Sequence, residues 1–235
     1  MKLHRFIGQY NLSGDALEIT DPETIKQIKL VLRLEVGGHI ILSDGQGREA
    51  EAEIVSITKD KIMVKVLDIK TIAGSSRNVS LYLAILKKEN FELSVQKAVE
   101  CGVSHIIPVI TDRTIKTGLN MERLNKIIRE ASEQSGRSIV AKLLETMGFT
   151  EAVEHGKANN EKVIFHLGDE DYMPTRGNAS GGHSVSIFVG PEGGFTENEI
   201  KLAKETGYTV SSLGPLTLRG ETAAIIATYR AVHGI

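Results

Sequence analysis

The 235-residue chain has a single cysteine (Cys101), no tryptophan, five prolines and an aromatic share of only 5%. One thiol excludes an intramolecular disulfide framework and a cysteine-rich zinc site. No apolar run approaches the roughly 18 residues of a membrane-spanning helix. The opening MKLHRFIGQYNL lacks the apolar stretch of a secretory signal, so the expected compartment is the cytoplasm. The histidines, at 4, 39, 105, 155, 166, 183 and 233, have no ligand spacing, and no metal is expected. The P-loop, G-x-S-x-G, H-E-x-x-H and C-x-x-C patterns are missing as well. That removes support for P-loop nucleotide hydrolysis, for a nucleophile elbow and for zinc hydrolysis.

What is present is ordinary in bulk. Hydrophobic residues make up 41% and charged residues 25%, as in folded globular chains, and the length allows one large domain or two small ones. Net charge is −2, but residues 77–147 hold 11 basic and 8 acidic groups. Lysine and arginine neutralise phosphate in nucleic-acid binding, so a phosphate-binding surface should draw on this stretch. A solvated mixed-charge face is the alternative.

The chain changes grammar near residue 72. Before it, alternation marks strands at His39–Ser43, Glu49–Ile57 and Lys61–Ile69, with turns at DGQG and TKDK. One helix interrupts them, with Asp21 as N-cap, Pro22 at its first position, and Ile25, Ile28 and Leu32 at helical spacing. Short strands with one helix point to a small β-barrel over residues 1–72. IAGSSRN, residues 72–78, reads as a joint. Residues 73–235 then alternate strand and helix. Strands are expected at Val79–Leu86, His105–Val109, Val163–Leu167, Val185–Val189 and Thr209–Leu213. Helices are expected at Asn90–Cys101, Met121–Gln134, Thr196–Thr206 and Glu221–Val232. Such alternation implies an α/β domain with a mostly parallel sheet.

Asp44–Ala50 matches a dinucleotide fingerprint only in letters. A strand-like run follows it, where a fingerprint needs a helix. Two later loops are more informative. In IFVGPEGGFTENEI an apolar strand enters a glycine-rich loop. Thr196 and Glu199 then form a capping box, and Phe195 and Ile200 a hydrophobic staple. Open α/β sheets bind ligands at the carboxyl ends of their strands, although a plain tight turn fits the spacing equally well. In LGPLTLRGETA, Arg219 and Glu221 stand at the start of an apolar helix. Glu221 there can serve chemistry or simply favour the helix dipole. EASEQSGR closes a polar helix on a glycine.

Together these strings, with VLRLEVGG…LSDGQG and LKKENFELSVQKAVECGV, resemble the RsmE-type 16S rRNA uridine N3-methyltransferases of the trefoil-knotted SPOUT superfamily. The resemblance covers nearly the whole chain. It implies a knotted C-terminal methyltransferase domain, a PUA-like N-terminal barrel that helps bind RNA, and a homodimer. It also implies S-adenosylmethionine (SAM) as cofactor. The implied substrate is a uridine near the 3′ end of small-subunit rRNA, methylated at N3 in the assembled subunit.

Carried onto this sequence, the cofactor loops fall at Leu167 and Gly168, at Gly190, Glu192 and Gly193, and at Leu213, Gly214 and Leu218. Leu167, Leu213 and Leu218 would give apolar walls. Arg219 would stabilise negative charge developing on the base, and Glu221 would be the base or only a helix-start residue. Arg5, Arg33, Arg129 and Arg137 are the RNA phosphate candidates. Gly220 stands where the family carries Thr, Leu124 where it carries Trp and Ala141 where it carries Pro. The His usual before V-L-R-L is missing around Lys26–Lys29. Other readings stay open: a knotted methyltransferase acting on ribose 2′-O or another base, a non-catalytic RNA-binding assembly factor, or a nucleotide-dependent α/β enzyme.

Overall fold

The computed structural model describes residues 3–167, 170–175 and 182–235. Contacts divide the chain into two units. The first is the chain up to Gly74 together with Ser132–Val140; the second is Ser75–Ala131 with Ala141–Ile235. The sequence reading cut the chain once, after residue 72. The inclusion of Ser132–Val140 in the first unit rests on pairing between sequence-remote residues, which local periodicity does not register.

In the first unit five strands form a sheet in the order β1-β3-β4-β5-β2. They are β1 (His4–Ile7), β2 (Ala16–Ile19), β3 (His39–Ser43), β4 (Arg48–Ile57) and β5 (Ile62–Thr71). β1 runs parallel to β3 and the other pairs are antiparallel. Alternation puts Ala50, Ala52 and Ile54 of β4 into the core beside Ile62 and Val64. The DGQG turn closes the β3–β4 hairpin, with Gly45 at φ 72° and Gly47 at φ 105°.

Helix α1 (Pro22–Lys26) starts as expected, Thr24 N donating to the Asp21 carboxylate at 2.8 Å. It then passes into a π-helical turn over Gln27–Val31 rather than continuing as α-helix to Leu32. Ile25 and Ile28 stay buried while Leu30 and Val31 face solvent. The returning segment is tied to the sheet by its backbone. Gly47 N donates to Ser138 O at 3.0 Å and Val140 N to Gly45 O at 2.9 Å.

Among the described residues the second unit holds seven strands, every pair parallel. They are β6 (Arg77–Ala84), β7 (His105–Ile110), β8 (Lys142–Leu143), β9 (Met147–Gly148), β10 (Glu161–Phe165), β11 (His183–Val189) and β12 (Thr209–Ser211). The order is β12-β10-β11-β6-β7-β8, with β9 also on β7. The helices are α2 (Lys88–Cys101), α3 (Met121–Ser135), α4 (Phe149–Gly156), α5 (Glu197–Glu205) and α6 (Gly220–His233). Gly102 ends α2 in a left-handed conformation at φ 104°.

α2 packs on α6, and α4 on α5. Period-two alternation sends Tyr82 toward the α4–α5 side, where it stacks on Phe188 at 4.3 Å, and Leu81 and Leu83 to the opposite face. At the amino end of β10, Glu161 is buried. Its carboxylate accepts from Arg77 at 2.9 Å, from Tyr172 at 2.6 Å and from Thr175 at 2.6 Å, and pairs with His183 at 3.1 Å. Burial alone would raise that carboxyl, but the four partners outweigh it and hold the group below its ordinary value.

Candidate active-site cleft

Three adjacent strands, β12, β10 and β11, release their carboxyl ends toward one place, and a cleft of about 560 Å³ opens there. That volume lies within the range of small-molecule sites. The β10 end contributes Phe165, His166 and Leu167. The β11 end contributes the loop Gly190–Gly194. The β12 end contributes Leu213, Gly214 and then Leu216–Gly220, the start of α6. Leu167, Gly190, Glu192, Gly193, Leu213, Gly214 and Leu218 are thus brought together around one opening, with Arg219 at its rim. Gly168 lies outside the described residues.

Local chemistry fixes each loop. Thr196 N donates to Glu199 Oε2 at 2.7 Å and Glu199 N to Thr196 Oγ1 at 3.3 Å, so the capping box is formed in both directions. Phe195 and Ile200 pack into the same apolar cluster. Gly194 turns at φ 69°, and a side chain at Gly190 would run into the Phe195 ring at 3.1 Å.

α6 begins differently. Its N-cap is Arg219, whose side chain makes no capping hydrogen bond. The helix therefore turns amide N–H groups without a side-chain cap, and the positive end of its dipole, toward the cleft rim. Glu221, the second residue of α6, is buried and does not line the cleft. Its Oε2 has no hydrogen-bond partner among the described residues. Gly220 is buried under Leu86; a Cβ there would lie 2.9 Å from Leu86 Cδ2.

The four arginines singled out for phosphate have different surroundings. Arg5 is turned onto Glu49, and its guanidinium also donates to Ser138 Oγ at 3.3 Å. Burial acts to raise the Glu49 carboxyl, but hydrogen bonds from Arg5 and Ser138 bring it below the carboxylate range. Arg137 donates through Nε to Ile139 O at 3.1 Å, and burial lowers its pKa. Arg33 is exposed, in the left-handed region at φ 51°. Arg129 is half-buried on α3. Among the described residues, no group of three or more His, Cys, Asp or Glu side chains is placed to hold a metal ion.

The sequence reading missed Arg113, three residues past β7. It lines the cleft and donates to Gly193 O at 2.5 Å. Its signal was positional: it follows the carboxyl end of a parallel strand.

The family model for the RNA methyltransferase domain matches residues 74–231, and that for the RNA methyltransferase PUA domain matches residues 19–67. The ribosomal RNA small subunit methyltransferase E of Rickettsia conorii is 31% identical over 235 residues, covering 97% of this chain and 94% of its own. That of Bacillus subtilis is 29% identical over 223 residues, covering 87% and 85%. A solved ribosomal RNA small subunit methyltransferase E from Neisseria gonorrhoeae, bound to S-adenosyl methionine, matches with a TM-score of 0.85 at 31% identity, covering 97% of this chain and 95% of that one.

Proposed function

The chain belongs to the ribosomal RNA small subunit methyltransferase E family, and from that premise we propose that it methylates N3 of a uridine near the 3′ end of 16S rRNA, in the assembled small subunit, with SAM as donor. The observation that carries this reading is the convergence of three strand-end loops on one cleft of about 560 Å³.

The cleft fits that cofactor. Leu213, Leu218 and Phe165 give apolar surface for a purine ring, and the glycine-rich loop 190–194 and Gly214 bring main chain to the cleft wall beside its polar edge. When bound, SAM supplies a methyl group on a sulfonium centre, open to in-line attack. The protein orients the acceptor and manages its proton. Uridine N3 attacks only after losing its imide proton, so negative charge builds on the base. Arg219 and the side-chain-uncapped start of α6 lie at the rim where that charge is stabilised. Glu221 is buried and does not line the cleft, so Arg219 is the stronger of the two catalytic candidates.

On the RNA side, the exposed Arg33 is the arginine most open to phosphate, while Arg129 is half-buried and Arg5 and Arg137 are engaged in local structure. The protein works as a homodimer in the cytoplasm. Tyr229 of α6 and Leu93 of α2, 47% and 39% exposed, offer apolar surface for a second copy.

The test is calorimetric titration with SAM, using ATP as control, followed by nucleoside analysis of small subunits treated with protein and SAM. The expected result is binding of SAM at one per chain, none of ATP, and N3-methyluridine as product. A 2′-O-methylated nucleoside would move the target to ribose, and absent SAM binding would leave an RNA-binding factor.

A further inference from the structure

We propose that Arg113 is a positioning residue that shapes the Gly190–Gly194 loop, by occupying the space a side chain at Gly193 would need and by holding the carbonyls on either side of Gly194. Its guanidinium donates through one terminal nitrogen to Gly193 O at 2.5 Å and to Phe195 O at 3.4 Å. Its aliphatic stem lies over the Gly193 Cα. A Cβ at residue 193 would meet Arg113 Cδ at 3.3 Å and Cβ at 3.6 Å. The absent side chain at 193 is therefore accounted for by the arginine, independently of any ligand.

The arginine also starts from a fixed base. Asp112 N donates to Glu199 Oε1 at 3.0 Å, and Thr196 Oγ1 donates to Asp112 Oδ2 at 3.0 Å. Thr111 N donates to Thr114 Oγ1 at 2.9 Å. Glu199 is itself buried, and its carboxylate serves both the capping box of α5 and the backbone of the Arg113 turn. One carboxylate thus locks the end of the glycine loop and the root of the side chain that clamps its middle. Cation-to-carbonyl bonds of this kind are stronger than neutral ones, and here they act on a stretch containing three glycines, which has little stiffness of its own.

The effect on SAM rests on the function proposed above; the effect on the loop does not. Arg113→Ala, Arg113→Lys, Gly193→Ala and the Arg113→Ala/Gly193→Ala double variant are compared by three readouts. These are amide hydrogen exchange of peptides spanning 190–195 in the ligand-free protein, SAM affinity by calorimetry, and the split of kcat from KM. Arg113→Ala is expected to speed loop exchange about ten-fold while exchange of the β-strands is unchanged. It should weaken SAM binding and raise KM for SAM by a similar factor of about ten, with kcat at saturation kept within about two-fold. Lysine should restore part of both. Gly193→Ala should mimic Arg113→Ala, and the double variant should be no worse than the poorer single one, because the two residues act as one unit. Loop exchange unchanged in Arg113→Ala would overturn the proposal, as would strict additivity in the double variant. If the parent protein bound no SAM, the functional reading would fall, and loop exchange would still decide the role of Arg113.

Discussion

Arg219 and Gly220 are consecutive, yet they meet opposite demands. Arg219 is exposed at the cleft rim, whereas Gly220 is buried against Leu86, with no space for a Cβ unless the leucine moves. A threonine at this position would need the volume that the end of the Leu86 side chain occupies. Arg219 makes no capping bond, so its removal should not unwind α6. Arg219→Ala is therefore expected to keep SAM affinity while turnover falls by about 100-fold, the typical loss when one donor to a developing anion is removed. Parallel calorimetry and single-turnover methylation check this; unchanged turnover would remove the catalytic role. Glu221→Gln separates a proton acceptor from a helix-start residue. A base role predicts lost turnover at neutral pH with melting temperature and SAM affinity intact.

Among the elements, α5 has a start that its own sequence encodes in full. Its start is set by residues within five positions of one another, and Thr196, Glu199, Phe195 and Ile200 all do what their spacing predicts. Thr196→Ala removes the cap and the bond to Asp112, and is expected to cost about 1 kcal/mol of stability, read as a shift in urea midpoint at unchanged slope. The elements that escaped the sequence reading are those with little local signal. β8 and β9 have two residues each, too few for any period, and β1 and β2 have four. α4 spans only Phe149–Gly156 and has no side-chain cap. The π-helical turn directly continues α1, so the helical spacing of Ile25, Ile28 and Leu32 does not distinguish the two, and the turn ends at Val31, before Leu32. The cleft residues Leu213 and Leu218 were legible because their loops follow strands directly. Arg113 was not, because its partners are some 80 residues away and nothing local announces them.

At the scale of the molecule, the buried cluster on Glu161 joins β10, β6, the segment around Tyr172 and β11, while Arg77 Nε reaches Ala231 O in α6 at 2.6 Å. Because the folded-state value lies below the ordinary 4.5, the unfolded chain takes up the proton first as the solution is acidified. The contribution of Glu161 to stability is complete above that value and is lost as pH falls through the folded-state value. Denaturant midpoints measured from pH 7 downward should show this loss in the parent protein and a shallower decline in Glu161→Gln. At neutral pH the variant should be less stable by about 3 kcal/mol, since Arg77 is left buried without its counter-charge. An equally steep acid decline in the variant would assign the effect to other carboxylates, Glu49 first among them. The return of Ser132–Val140 to the first unit bears on how the chain is made. A nascent chain that has just presented Gly74 still lacks the peptide that satisfies Gly47 N, the Gly45 carbonyl and the Arg5–Glu49 pair. At about 5–20 residues per second, that peptide follows only after roughly 3 to 13 seconds of further synthesis. During that interval the N-terminal sheet is an unfinished structure at the mouth of the translation machinery, and its completion is timed by the stretch of chain that also encodes β6, α2 and β7.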